Sequence, residues 1–321
     1  MKQISFASLN YEHKKITTKR EKFLNEMEKV VPWKQLLRLI EPFYPKAGKG
    51  RPPIAMETML RIYFLQQWYA LSDPGAEEAL YDMESMRRFA GLELGTDNIP
   101  DESSILNFRR LIEIHDLSIA LFEEINAYLV DKGIRVSKGS MVDATIISAP
   151  SSTQNKASQR DPEMRSTRKN NQYYFGMKVH IGTDVNSNAI HSVTVTAANV
   201  ADIDELPKLL REEDKVIFAD AGYTSDAYKK GARSLGMTWK VNDKRLPSHT
   251  KRKRINLSPS QKKRNRKNSR IRARVEHCFW ILKCQFGYRK VRYKGLKKNR
   301  AQVFTLLGLA NLYRFRGKLA G

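Results

Sequence analysis

At Gly133 the sequence changes its period. From Glu21 to about Lys132, apolar residues return every three or four places; after Gly133 they come in short β-rich runs broken by turns. The first pattern hides one stripe of a helix and the second one face of a sheet, so neither segment suits the other's architecture. The chain therefore reads as an all-α N-terminal part followed by an α/β part.

Within the helical part, Pro32 opens a helix through PWKQLLRLIEPFYP, where its missing N–H is no loss. The basic KAGKGRPPIA is a connector. METMLRIYFLQQWYAL is a strongly apolar helix ended at Ser72, Asp73, Pro74 and Gly75, and GAEEALYDMESMRRFAGL reads as one helix stopped near Gly91. Pro100 to Ser104 opens SSILNFRRLIEIHD, and LSIALFEEINAYLVDKG completes the set. Such helices suit a helix-turn-helix reader with Ser103, Ser104, Asn107, Arg109 and Arg110 against DNA. An ordinary bundle with a polar face fits the same residues equally well.

In the α/β part, Gly139–Ile147, Tyr173–Gly182 and Ala189–Thr196 read as an antiparallel meander, with a turn over Asp184–Asn188. A helix over Asp202–Leu210 follows, with Asn199 and Asp202 as its caps. Then come a buried strand (KVIFAD), a helix over Ser225–Leu235 and a fifth strand at Met237–Val241. The outcome is a mixed sheet flanked by helices. PSSTQNKASQRDPEMRSTRKNN reads as loop, and QVFTLLGLANLYRF as a helix packed back onto the core.

The net charge is +24, which points to a polyanionic partner. It peaks between Asn242 and Asn268, where Lys251, Arg252, Lys253 and Arg254 stand together; like charges at that density predict an extended or loop-like run that binds phosphates. No apolar run is long enough to span a bilayer and the N-terminus lacks a signal-peptide core, so no membrane is expected. Cys278 and Cys284, six apart, point about 120° apart on a helix and share neither a metal nor a disulfide.

Asp143 sits inside an apolar strand, where an ionised group needs compensation. Asp220 ends the most apolar short strand, and such ends face the crevice where ligands bind. A third carboxylate, Glu276, lies in SRIRARVEHCFWILKCQFGY, read as one helix from Ser269 to Tyr288. On a wheel Arg272, Glu276 and Lys283 fall within about 40°, beside a stripe of Val275, Phe279, Leu282 and Phe286. Alone, the Arg272–Glu276 pair reads as a surface ion pair. Two carboxylates on strand ends with a third from a packed helix make a cage for Mg²⁺, with Mn²⁺ able to substitute.

The segments Val142-Asp143-Ala144-Thr145, Asp220-Ala221-Gly222-Tyr223 and Arg272-x3-Glu276-x6-Lys283, with PFYPKAGKGR, GMKVHIG, TAANVAD and VRYKGLKKN, resemble the DDE transposases of the bacterial insertion-sequence-5 family. The likeness runs over nearly the whole chain. Ser269 stands where the family signature usually has tyrosine. The resemblance implies an RNase H-like catalytic domain with Asp143, Asp220 and Glu276 as metal ligands. It implies double-stranded DNA as partner: terminal inverted repeats are bound and cut, and the 3′ hydroxyl is transferred to target DNA. Arg272 and Lys283 match the signature's basic positions and are expected on phosphates. Lys178, on the strand beside Asp143, is expected to face the site, and His180 to be structural.

The expected organisation is a flexible arm over 1–20, a helical DNA-binding or assembly domain over 21–135, the catalytic domain over 136–316 with a basic insertion near 243–268, and a tail over 317–321. A homodimer or larger assembly is expected from the need to hold two DNA ends; the lack of a bilayer-spanning run and of a signal-peptide core sets it in the cytoplasm, and the resemblance implies the bacterial nucleoid. Two other readings remain open, a metal-dependent nuclease and a DNA-binding regulator on a transposase-derived scaffold.

Overall fold

The computed structural model describes residue 11 and residues 13–48, 52–134, 136–154, 158–169, 171–244 and 256–320. Most of the N-terminal arm and the Lys251–Arg254 run lie outside the described residues.

The helical layer comprises α1 (Lys19–Val30), α2 (Trp33–Ile40), α3 (Met56–Tyr69), α4 (Asp73–Asp82), α5 (Glu84–Phe89), α6 (Glu102–Ile114) and α7 (Leu117–Asp131). Thr18, Ser72 and Asp101 cap α1, α4 and α6 by accepting the N–H groups of Glu21, Gly75 and Ser104. The segment expected as a single helix to Gly91 is two. Extended backbone at Met83 separates α4 from α5.

β1 (Gly139–Ser148), β2 (Arg165–Lys169), β3 (Gln172–Asp184), β4 (Ile190–Ala197), β5 (Val216–Ala219) and β6 (Thr238–Val241) form one sheet. β3 runs antiparallel to β1 and β4, while β5 joins β1, and β6 joins β5, in parallel. The order β4-β3-β1-β5-β6 is the expected RNase H-like mixed sheet. β2 was expected as loop. It shares the outer edge of β3 with β4: Gly176 pairs with Ser148 and Arg165, and Met177 with Ile147 and Ala197. Its charged, largely exposed residues carry no alternation to read, as befits an edge.

A 3₁₀ turn (Asp202–Glu205) and α8 (Leu206–Leu209) connect β4 to β5; a 3₁₀ turn (Ala221–Tyr223) and α9 (Asp226–Ser234) connect β5 to β6. Ala201 precedes the first turn with no side-chain cap, so Asp202 is not the cap expected. The sheet is covered on both faces. Met141, Val179, Ile181 and Phe218 enter the larger core, whereas Val142, Ile217 and Ala219 pack with Leu206, Leu209 and Tyr223 on the other face.

Within the basic run, α10 (Pro259–Arg272) is a helix where a loop was expected. Ser258 and Gln261 form a capping box around Pro259, which overrides the repulsion of the lysines and arginines that follow. The helix docks on the end of β6: Asn265 bonds both backbone groups of Asp243, and Ser269 accepts from Asn242 Nδ2 at 2.9 Å. The single helix expected from Ser269 breaks after Arg272. It resumes as α11 (Val275–Trp280) and widens into a π turn at Ile281–Gln285. Val275, Phe279, Leu282 and Phe286 are nonetheless all buried.

The last helix, α12 (Leu296–Leu319), packs on α1, α3, α6, α7 and β4. Asn311 clamps it to the sheet, taking the Ile190 N–H at 2.9 Å and giving to the Ile190 carbonyl at 2.8 Å. Helical layer and sheet thus share one apolar core. Among the described residues, no helix is long and apolar enough to cross a membrane.

Candidate active site

Met141 of β1 stands beside Phe218 of β5 in parallel register. Two residues further along both strands come Asp143 and Asp220. With a period of two, they share one face at the end of the sheet. Asp220 takes the Gly222 N–H at 2.8 Å as the cap of its 3₁₀ turn. A Cβ on Gly222 would lie 2.9 Å from the Asp220 carboxylate, so glycine keeps this approach open.

Asp143 Oδ1 accepts the Ala144 N–H at 2.9 Å, and Oδ2 meets Arg272 Nη1 at 2.5 Å. Burial pushes its carboxyl up to about 6, against the pull of Arg272 and the Ala144 N–H; the like charge of Asp220 adds to the rise. Arg272 also points Nη2 at Glu276 Oε1, 3.9 Å away. The Glu276 side chain is 66 % exposed. Among the described residues, no three His, Cys, Asp or Glu side chains stand close enough to hold a metal ion. What the structure brings together is Asp143 with Asp220, and Glu276 linked to them through Arg272. The donors are all carboxylate oxygens, the chemistry that a hard divalent cation takes. Arg272 is the cation against Asp143 here.

Three expected contacts differ. Lys178 does not face Asp143. Asp143 lies opposite Ile181 and Lys178 opposite Ile146, so alternation puts Lys178 on the other face. There it pairs with Asp202 at 2.8 Å and donates to the Val200 carbonyl at 2.7 Å. Arg109 is buried between Asp73 and Glu113, 2.7 Å from each, and cannot reach DNA. Lys283 donates to the Ile146 carbonyl at 2.8 Å, because the π turn shifts it off the wheel position and ties the segment to β1. Arg110, Ser103 and Asn107 are exposed on α6. Cys278 is buried, with burial pushing its thiol up to about 12, and Cys284 is exposed; both are free. Sequence reasoning missed Tyr223 as a neighbour of the site. Its buried hydroxyl has no hydrogen-bond partner among the described residues and feels the charges of Asp202, Asp143 and Asp220.

His180 was expected as a structural histidine, and its Nδ1 is buried with no hydrogen-bond partner among the described residues. It is fully buried with Nε2 2.9 Å from Thr196 Oγ1. Burial lowers its pKa to about 4, and that of His191 equally. An unfolded histidine takes a proton near pH 6.5 while these two refuse it, so acid favours the unfolded chain. Stability is therefore full above pH 6.5 and falls toward pH 4, by at most about 3 kcal/mol per ring. His180→Gln/His191→Gln is expected to flatten urea midpoints between pH 6.5 and 4.5. A slope as steep as the parent's overturns this.

The sequence matches the family described as Transposase DDE domain over residues 135–312. It matches Transposase domain (DUF772) over residues 11–111. Among solved structures it is similar to the piggyBac transposase synaptic complex with hairpin DNA, at 11 % identity and a TM-score of 0.45, covering 89 % of this chain and 71 % of that one. The first match takes in more than half the chain and contains the face on which Asp143, Asp220 and Arg272 meet, and on it this chain belongs to the transposases of the DDE-domain family.

Proposed function

We propose that this transposase binds the terminal inverted repeats of its own mobile element and cuts them in a Mg²⁺-dependent reaction. It then joins the freed 3′ hydroxyl to target DNA. The observation that carries this is the placement of Asp143 beside Asp220 on one face, with Arg272 and Glu276 brought over it from α10 and α11. Asp143, Asp220 and Glu276 would hold the metal. When bound, divalent cations activate the attacking oxygen and neutralise charge on the leaving one. The chain's own part is to position. Lys283 fixes the π turn to β1, the Asn242–Ser269 bond fixes α10 to β6, and Arg272 holds the carboxylates' charge in check. Lys262, Lys263, Arg266 and Lys267 are exposed on α10, which supports a polyanion running past this face. In this reading the helical domain over 21–135 meets the repeats, the domain over 136–316 carries the chemistry, and at least two copies hold the two ends.

The test is direct. Purified protein is given linear DNA carrying the inverted ends that flank its reading frame. Nicks at the repeat ends and joined products are expected with Mg²⁺ or Mn²⁺ and none in EDTA, with both ends in one gel-shifted complex. Cutting without joining would favour a nuclease, binding without cutting a regulator, and cutting in EDTA would exclude the metal site.

A further inference from the structure

Between the start of α11 and the C-terminal turns of α12 lies a pocket that none of Asp143, Asp220, Arg272 and Glu276 lines. It has a volume of about 580 Å³, and its charged walls come from Arg274, just before α11, and from α12. Arg274, His277, Arg314 and Lys318 line it together with the Ser187 turn. Its described lining contains no aspartate or glutamate, and Arg274, Arg314 and Lys318 make no ion pair among the described residues.

Arg314 is the informative member. Its guanidinium is half-buried, yet its hydrogen-bond partners are neutral. Nη1 donates to His277 Nδ1 at 2.8 Å, and Nε approaches the Ser187 carbonyl at 3.4 Å. Because Arg314 can only donate, His277 accepts with a lone pair and its ring is held neutral. Burial lowers the arginine's pKa, and the like charge of Arg274 lowers it further. A desolvated cation facing more cations is a cost that an arriving anion relieves. Beside it, His277 stacks on Trp280 with ring centroids 5.6 Å apart and planes at 22°. Trp280 is 47 % exposed, a large aromatic surface next to uncompensated charge.

We infer that this pocket binds a backbone phosphate of DNA, with Arg314, Arg274 and Lys318 on its oxygens and the Trp280–His277 stack against the adjoining sugar and base. Arg274 and His277 flank Glu276 in sequence, so a strand held here is indexed by the same short helix that carries the third carboxylate. The inference rests on the proposed function only in taking the anion's source to be DNA.

The test uses the full-length chain in EDTA, with a random 30-base-pair duplex as probe, so that cleavage plays no part. Each phosphate neutralised contributes about 0.9 to the slope of log K against log[salt]. Arg314→Gln/Lys318→Gln is expected to make the slope shallower by about one to two and to weaken binding at low salt at least tenfold. Arg274→Gln/Lys318→Gln alters only exposed side chains and is expected to act in the same direction, which covers any folding defect at Arg314. Lys132→Ala/Lys215→Ala removes two exposed lysines elsewhere and is expected to leave the slope unchanged. Equal slopes for parent and both pocket variants, each with the parent's melting temperature, overturn the pocket while leaving the transposase reading intact. A shift as large in the Lys132/Lys215 control overturns it as well, since net charge alone would then account for the effect. If the parent binds no duplex, both the pocket and the DNA partner fall.

Discussion

Glu276→Gln is expected to yield a folded protein that no longer cuts DNA. The substitution keeps length and helix propensity and removes only the charge a metal needs. Its side chain is mostly in solvent and its ion pair with Arg272 is long, at 3.9 Å, so the folded state loses at most about 0.5 kcal/mol. If Glu276 completes the metal site, cleavage falls by roughly three orders of magnitude, about 4 kcal/mol of barrier. The ratio between the two effects is what discriminates. Thermal melting, duplex binding and Mg²⁺-dependent nicking are measured on one preparation. Near-normal nicking by a folded variant would remove Glu276 from the site and leave Asp143 and Asp220 as an incomplete pair.

The second large effect concerns neighbours in sequence. Arg109→Ala is expected to destabilise the chain by about 3–5 kcal/mol, and Arg110→Ala by less than about 0.5 kcal/mol. Arg109 places Nη2 on Asp73 and Nη1 on Glu113, both at 2.7 Å, and lies over the Tyr293 ring at 4.3 Å from its centroid. Removing it strands two poorly exposed carboxylates. Arg109 and the Gln66 amide hold the Asp73 carboxyl below its ordinary value against the cost of burial. That contribution is present above the ordinary carboxylate range and is lost as pH falls through the native pKa. The gap between parent and variant should therefore be widest at neutral pH and narrow below about pH 4. Urea midpoints at pH 7 and pH 3.5 check both statements. Equal midpoints for the Arg109 and Arg110 variants would return Arg109 to the surface.

The contrast between these residues shows what the sequence could and could not convey. Five of the six strands were legible from local alternation or an apolar run, β2 was not, and Asp143 stood out as a charge where its neighbours are apolar. Asp220 was legible for the same reason, as the polar stop to a buried run. Arg109 was not, because its partner Asp73 is 36 residues away and the i,i+4 spacing to Glu113 alone also suits an exposed pair. Lys178 failed on parity. Which face a strand residue occupies depends on register with Asp143, and register is set across strands. Charge density argued wrongly against α10, since a capping box and the Asn265 and Ser269 contacts outweigh repulsion on an exposed helix. The helical wheel placed the apolar stripe well. It misplaced Lys283, because a π turn breaks the 100° step the wheel assumes.

The return of α12 to the first helices also sets a clock on biosynthesis. Phe304 meets Phe122 edge-on at 5.7 Å, and Thr305 meets Tyr63 across 3.0 Å, so the N-terminal layer lacks one wall until residues past 296 have been made. At roughly 5–20 residues per second, the stretch from residue 131 to residue 296 takes on the order of ten to thirty seconds to translate. Through that interval the nascent helices carry an open apolar flank, and the sheet emerges before the flank closes. On the function proposed above, a ribosome-bound chain has no finished DNA-reading surface before its catalytic strands exist, and recognition and chemistry mature together.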